Sequence, residues 1–92
     1  MILFSRGALN DLERLRDFLI ANNPAASRRV LETLSTAVAS LEHLPHRARR
    51  IGELGIRELI VPFGNSAYVV RYFSPQRDSI IILRIWHGRE AR

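Results

Sequence analysis

The 92-residue chain is long enough for one small domain but too short for two separate cores, and its 47% hydrophobic and 25% charged residues exclude disordered and fibrous classes. It contains no cysteine, which excludes disulfides, thiolate catalysis and thiolate metal sites. The net charge is +5 and all 14 basic residues are arginine; nine of them lie in residues 47–92 beside only four acids, whereas residues 1–46 are balanced. The second half of the chain therefore favours an anionic partner, either nucleic acid or an acidic protein.

The first half of the chain predicts a short edge strand followed by two helices. Ile2 to Phe4 is apolar and β-prone, and Ser5 is a residue type that caps helices. Asn22-Asn23-Pro24 separates two helical patterns, since asparagine caps a helix and proline is favoured in its first turn. The first helix is predicted over Arg6 to Ala21, with Asp11 on its polar side, and the second continues to Glu42. Two antiparallel helices joined by a tight turn are expected.

The second half predicts a loop and three strands. The connector 45–55 carries Arg47, Arg49 and Arg50, and is either a solvated connection or a basic rim that faces phosphate or carboxylate. Residues 56–61, 67–73 and 79–86 are β-branched or aromatic runs separated by turn-forming segments, which predicts an antiparallel meander. Residues 1–92 therefore form a single α+β domain in which a helical hairpin covers one face of a twisted sheet.

Centring the two hairpin turns sorts the strand residues onto two faces. We predict that the more uniformly apolar face packs under the helices; it contains Glu58, Ile60, Val69, Arg71, Phe73, Ile81, Leu83 and Ile85, with Arg71 paired across strands to Glu58. The other face is predicted to be open, and it contains Arg57, Leu59, Tyr68, Val70, Tyr72, Ile80, Ile82, Arg84 and Trp86. Arginine combined with flat aromatic side chains suits an RNA-binding or protein-binding sheet.

The sequence carries no glycine-rich phosphate loop, no metal-spaced cluster and no nucleophile triad, and its three histidines are scattered. We expect no metal and no cofactor. No apolar run approaches the roughly 20 residues that span a bilayer, and the N-terminus lacks the pattern of a secretion signal, so a cytoplasmic protein without membrane contact is expected. A ribonuclease needs no metal, so RNA cleavage is not excluded.

Four segments resemble the successive blocks of ParE-type toxins of the ParE/RelE toxin–antitoxin superfamily, in matching order and spacing over nearly the whole chain. The segments are Ala8-Leu9-Asn10-Asp11-Leu12, Ile56-Arg57-Glu58-Leu59, Tyr68-Val69-Val70-Arg71-Tyr72 and Ile82-Leu83-Arg84-Ile85-Trp86-His87-Gly88-Arg89-Glu90. The most specific feature is the His-Gly-Arg that ends the last strand. The resemblance implies a RelE/ParE-like fold and an acidic, partly disordered, ParD-like antitoxin that wraps the toxin in a hetero-oligomer.

Two targets follow from this resemblance. ParE-type members imply DNA gyrase, poisoned so that cleaved DNA accumulates, and RelE-type members imply messenger RNA cleaved on the ribosome. The RelE nucleases place a catalytic arginine where this sequence has Val69, and they carry further basic residues and a C-terminal Tyr or His that this chain lacks. Guanidinium is a poor proton donor at neutral pH, so Arg57 and Arg89 alone are a weak nuclease set. We therefore expect gyrase inhibition by protein binding, with an mRNA endoribonuclease as the alternative.

The resulting site predictions fall into three groups. If the chain is a nuclease, the catalytic residues are Arg57, His87 and Arg89. The target-binding residues are Arg57, Tyr68, Arg84, Trp86, His87 and Arg89. An antitoxin helix is expected to lie on exposed apolar residues of the helical hairpin while its acidic part meets arginines, at Leu12, Leu15, Leu19, Leu34, Leu41, Arg49 and Arg50.

Overall fold

The computed structural model describes residues 1–90, which form one five-stranded sheet with two helices on one face. The strand order is β1-β5-β4-β3-β2; β1 is parallel to β5 and the other neighbours are antiparallel. The α+β fold with a helical hairpin and a meander is thus confirmed. The elements are β1 (Ile2–Phe4), α1 (Arg6–Asn22), α2 (Pro24–Ser40), β2 (Arg49–Ile51), β3 (Ile56–Phe63), β4 (Ser66–Gln76) and β5 (Ser79–His87).

Local sequence signals explain where the two helices begin. The Ser5 hydroxyl accepts a hydrogen bond from the Ala8 N–H at 3.1 Å, which caps α1 as predicted. Pro24 opens α2, but the Asn23 side chain makes no capping hydrogen bond; its backbone N–H instead donates to the Leu19 carbonyl at 2.7 Å. The turn between the helices is therefore closed by the backbone rather than by an asparagine side chain.

The sheet has one strand more than predicted. Residues 45–55 were expected to be a loop, but Arg49–Ile51 pairs with the start of β3 and forms an edge strand, β2. Gly52 and Gly55 take positive φ angles of 64° and 78° in the turn between these strands. Glycine adopts that region without steric cost, so this tight reversal keeps β2 in register.

The predicted assignment of the two sheet faces is wrong over most of the sheet. The core contains Leu59, Tyr68, Val70, Tyr72, Ile80 and Ile82, which were expected on the open face. Along β5 the alternation then reverses, because Arg71 pairs with Arg84 whereas Tyr72 pairs with Ile82, and Leu83 is left as a bulge. Ile85 is consequently in the core, and Arg84 and Trp86 lie on the open face beside Val69 and Arg71.

Tyr72 shows why the aromatic face is the covered one. The ring is fully buried, and its hydroxyl donates to the Pro45 carbonyl at 2.9 Å, so the polar end is satisfied inside the protein. Burial raises the pKa of this hydroxyl, although a backbone hydrogen bond at Ala48 and nearby arginines act in the opposite direction. An amphipathic tyrosine therefore serves as a core residue that anchors the loop before β2.

Asp11 joins α1 to the edge of β5. β1 pairs with β5 only from Ile80 to Ile82, so the next part of the β5 edge has no neighbouring strand. The Asp11 carboxylate takes that place: it accepts the Ile85 N–H at 2.8 Å and the Arg84 Nε at 2.7 Å. Asp11 is only 3% exposed, so the prediction that it lies on the polar side of the helix is wrong. No helix within residues 1–90 is both long and apolar enough to cross a membrane.

We expect Asp11→Ala to lower the free energy of unfolding by about 2–3 kcal/mol, because the buried Ile85 N–H loses its acceptor. Urea denaturation measures the change. The matched control is Asp17→Ala, which removes an exposed carboxylate from the same helix and should change stability by less than about 0.5 kcal/mol. Equal losses in the two variants would contradict this role for Asp11.

The same carboxylate should give the fold an acid-sensitive component. Burial raises the pKa of Asp11, but the hydrogen bonds from Arg84 and Ile85 and the charges of Arg84 and Arg14 outweigh it, so the pKa lies below its ordinary value of 3.8. Stabilisation from a depressed pKa is complete above the ordinary value and is lost as the pH falls through the folded-state value. The stability difference between the native chain and Asp11→Asn should therefore shrink below about pH 3.8.

Candidate functional site

The end of β5 and the turn after it form the segment Trp86 to Glu90, which we call the tip. The Gly88 N–H donates to the Ala67 carbonyl at 2.8 Å, so the turn lies directly against the start of β4. A Cβ atom at Gly88 would meet that carbonyl oxygen at 3.1 Å. Close backbone approach thus explains the glycine in the His-Gly-Arg motif, which places His87 and Arg89 on either side of a fixed turn.

His87 is held from two directions. Its ring meets the Tyr68 ring edge-on with centroids 5.1 Å apart, and its Nδ1 atom accepts the Arg89 N–H at 3.1 Å. Burial, reinforced by the charge of Glu90, raises the pKa of Tyr68. The tyrosine is therefore protonated at neutral pH and supports the histidine ring rather than serving as a base.

A salt-bridge clamp ties the tip to α1. The Arg14 guanidinium binds both carboxylate oxygens of Glu90 at 3.0–3.1 Å and also donates to Asp11 at 2.9 Å. A third hydrogen bond to Glu90 comes from the His87 N–H at 2.7 Å. Arg14 therefore links the buried Asp11 carboxylate at the sheet edge to the Glu90 carboxylate of the tip. Sequence reasoning missed Arg14 and Glu90, because nothing local links residues 76 positions apart.

Arg71 and Glu58 form the predicted cross-strand pair, with the Arg71 Nη2 atom 2.6 Å from the carboxylate. The Arg71 guanidinium also lies over the Trp86 ring, 4.9 Å from its centroid. Glu58 and Trp86 are only 5% and 4% exposed. Trp86 is thus on the open face as predicted, but its ring is largely covered in the free chain, and its contact with a target stays a prediction.

The predicted site residues do not converge on one place. Arg84, His87 and Arg89 lie at or next to the tip, with Arg84 and Arg89 exposed. Tyr68 is a core residue under the helices. Arg57 pairs with Tyr72, four positions along β4 from the partner of His87, which separates them by about 13 Å along the sheet. The Arg57 Nη1 atom donates to the Ala48 carbonyl at 2.7 Å, so this guanidinium holds the loop before β2.

The leucines chosen for antitoxin contact are mostly part of the core. Leu15, Leu19, Leu34 and Leu41 are buried, so the prediction that they are exposed is wrong, and only Leu12 of the five is half-buried. An apolar groove of about 600 Å³ lies between α1, α2 and β1. Its lining includes Phe4, Leu12, Leu31 and Val38, with Glu13 and Arg16 at its rim.

The part of the chain that the structure describes contains no group of three His, Asp or Glu side chains that could hold a metal ion. The side chains of the tip include the His87 imidazole, the Arg89 guanidinium and the Glu90 carboxylate. Guanidinium groups at an exposed position are suited to binding carboxylate or phosphate.

Comparison with known proteins shows which family of proteins the chain resembles. The model of the family described as the ParE toxin of the type II toxin–antitoxin system parDE matches residues 2–92. Toxin RelE1 of Caulobacter vibrioides is 41% identical over 91 residues, which are 99% of this chain and 96% of that toxin. Toxin RelE2 of the same organism is 34% identical over 88 residues, which are 95% and 93% of the two chains.

A solved chain from the chromosomal ParDE toxin–antitoxin system of P. aeruginosa shares the fold, with a TM-score of 0.77, 19% identity, and coverage of 94% of this chain and 92% of that one. Fold and matches together define a toxin of the ParE/RelE superfamily. The chain belongs to the ParE toxin family of type II toxin–antitoxin systems.

The clamp predicts a measurable change in the tip. Arg14→Ala should raise the amide hydrogen-exchange rate of His87 about fivefold, because this partly exposed ion pair contributes up to about 1 kcal/mol. The matched control is Arg16→Ala, which removes an exposed arginine from the same helix and should leave the exchange rate of His87 unchanged. Equal rates in the two variants, both with a native fold by circular dichroism, would refute the clamp.

Proposed function

We propose that this toxin inhibits DNA gyrase by protein–protein binding through the tip and performs no bond chemistry itself. The observation that carries the proposal is the separation of the candidate acid–base groups. Arg57 is bound to a loop carbonyl near the start of β3, about 13 Å along the sheet from His87, and Arg89 lies beyond His87 in the turn after β5. A nuclease active site requires its groups within hydrogen-bond reach of one substrate. A cytoplasmic location follows from this target.

The tip has the features of a small protein-binding surface. Arg89 is exposed on a turn that the backbone holds in place, and His87 and Glu90 flank it with fixed orientations. Arginine is enriched among the residues that dominate binding free energy, and a preorganised turn loses little entropy on association. Arg84 adds a second exposed guanidinium that its partner Asp11 orients.

The alternative is a ribosome-dependent mRNA endoribonuclease, and the names of the Caulobacter toxins favour it. In this chain it would use Arg57, His87 and Arg89. The position at which the RelE resemblance implies a catalytic arginine is Val69, a buried side chain on the open face. Valine in place of arginine at this position favours gyrase rather than messenger RNA as the target.

The partner that we propose is a cognate acidic, ParD-like antitoxin in a hetero-oligomer with the toxin. The apolar groove between α1, α2 and β1 suits the apolar side of an antitoxin helix, because it exposes Leu12 and Leu31 beside core side chains. Arg49 and Arg50 are exposed on β2, where an acidic segment would meet them. The proposed contact thus shifts from the buried leucines to the groove.

Purified toxin should cause gyrase to accumulate cleaved DNA from a supercoiled plasmid, and Arg89→Ala should reduce this effect by about tenfold or more through loss of an interface arginine. Arg77→Ala removes an exposed arginine from the β4–β5 turn and is the matched control, with activity expected to be unchanged. Circular dichroism would verify that both variants are folded.

A parallel assay with translating ribosomes tests the alternative function. Codon-specific cuts in the message with unaffected gyrase would overturn the gyrase proposal and favour the endoribonuclease. Full activity of Arg89→Ala on gyrase would remove the tip arginine from the proposed contact.

Antitoxin binding should depend on the groove. Leu31→Glu places a charge among apolar side chains and should weaken antitoxin affinity by about tenfold or more in titration calorimetry. Ile60→Glu, an exposed position on the opposite face of the sheet, should leave affinity unchanged. Equal affinity of the two variants would place the antitoxin elsewhere.

A further inference from the structure

A second groove of about 600 Å³ runs between α2 and β3. Five polar residues of α2 line it. Four of them follow one another at steps of four, three and four positions, namely Arg29, Thr33, Thr36 and Ser40, and the fifth is Glu32. These steps place side chains on one stripe of a helix, here about 16 Å long. Arg47 and Phe63 complete the groove, which we call the arginine groove.

The arginines of this groove have no carboxylate partner within residues 1–90. The Arg29 guanidinium lies over the Phe63 ring at 5.9 Å, and Arg47 donates to the Ser40 hydroxyl. The one acidic side chain on the groove, Glu32, is bound by Arg28 at 2.9 Å. Near the tip, by contrast, Arg14, Arg71 and Arg84 each bind a carboxylate at 3.0 Å or less. Arg29 and Arg47 are therefore not neutralised by a carboxylate of the described residues, as is also the case for exposed arginines such as Arg77 and Arg89, but these two share one groove.

The groove opens at the same end of the sheet as the tip. Phe63 pairs with Ser66 at the β3–β4 turn, and Tyr68, two residues further on, pairs with His87. From that end the arginine groove extends along α2 toward Arg47. A ligand that continues from a target bound at the tip would therefore meet Arg29 first and Arg47 last.

We propose that the arginine groove binds the phosphodiester backbone of a nucleic acid. Guanidinium and hydroxyl groups are the side-chain donors that contact phosphate oxygens, and Arg29, Thr33, Thr36 and Arg47 offer them along this groove. The Ser40 hydroxyl instead donates to the Ala37 carbonyl at 2.6 Å. If the toxin acts on gyrase as proposed, the nucleic acid is the DNA held by gyrase. Only this source of the ligand rests on the proposed function.

The test uses purified full-length toxin and dye-labelled 20-base-pair duplexes of DNA and of RNA, followed by fluorescence anisotropy over a series of salt concentrations. Each lost phosphate contact lowers the slope of log affinity against log salt by about 0.9. Arg29→Gln with Arg47→Gln should therefore reduce the slope by about 1.8 and affinity by tens-fold at 0.1 M salt.

The control carries the same change of net charge elsewhere. Arg16→Gln with Arg77→Gln removes two exposed arginines outside the groove and should leave most of the affinity. Thr36→Val, which changes no charge, should weaken binding severalfold because a phosphate loses its hydroxyl donor. An equal loss of affinity in the two double variants would overturn the proposal that the groove is the binding site and would show that affinity responds to net charge alone.

The remaining outcomes separate this site from the proposed function. Binding of DNA supports the groove even if gyrase is unaffected by the toxin, since no gyrase is present in the assay. Binding of RNA alone supports the groove and contradicts DNA as its ligand. Binding of neither duplex, with binding of a labelled poly-glutamate peptide, would overturn the proposal in favour of a carboxylate site.

Discussion

The carboxylate of Asp11 on the unpaired edge of β5 is the interaction on which the rest of the structure depends. β1 is too short to cover this edge, so a side chain from α1 supplies the missing acceptor for the Ile85 N–H. The same carboxylate orients Arg84 and Arg14, and Arg14 reaches Glu90 at the tip. Helix, sheet edge and tip therefore share one charge network, whose cost of burial is offset by four hydrogen bonds.

Apart from β2, the order of elements was predictable because hydrophobic period, turn residues and the Ser5 cap act over short distances. The strand faces were not, for a reason that lies in β5. A bulge at Leu83 interrupts an alternation that period-two reasoning assumes to be continuous, and three isoleucines in a row, Ile80 to Ile82, give no indication of which side is covered. The buried tyrosines added to the error, because their hydroxyl-bearing rings suit either face.

The candidate site was only partly predictable. Local motif resemblance located the tip, since the His-Gly-Arg sequence reflects a backbone contact with Ala67. The residues that orient it, Arg14 and Glu90, are joined only in the folded chain, and Asp11 looked like an ordinary polar residue of an amphipathic helix. Arg57 carried the expected chemistry but is used to hold a loop, because a guanidinium next to an irregular segment readily satisfies its carbonyls.

Gly88 separates the shape of the tip from its chemistry. The position of the turn is determined by a backbone hydrogen bond and by the absence of one carbon atom, whereas its surface character is determined by the side chains on either side. An exposed side chain such as that of Arg89 can therefore change without moving the turn. A single scaffold of this kind can present different chemical groups at an identical location, which gives a physical route by which toxins of one fold acquire unrelated targets.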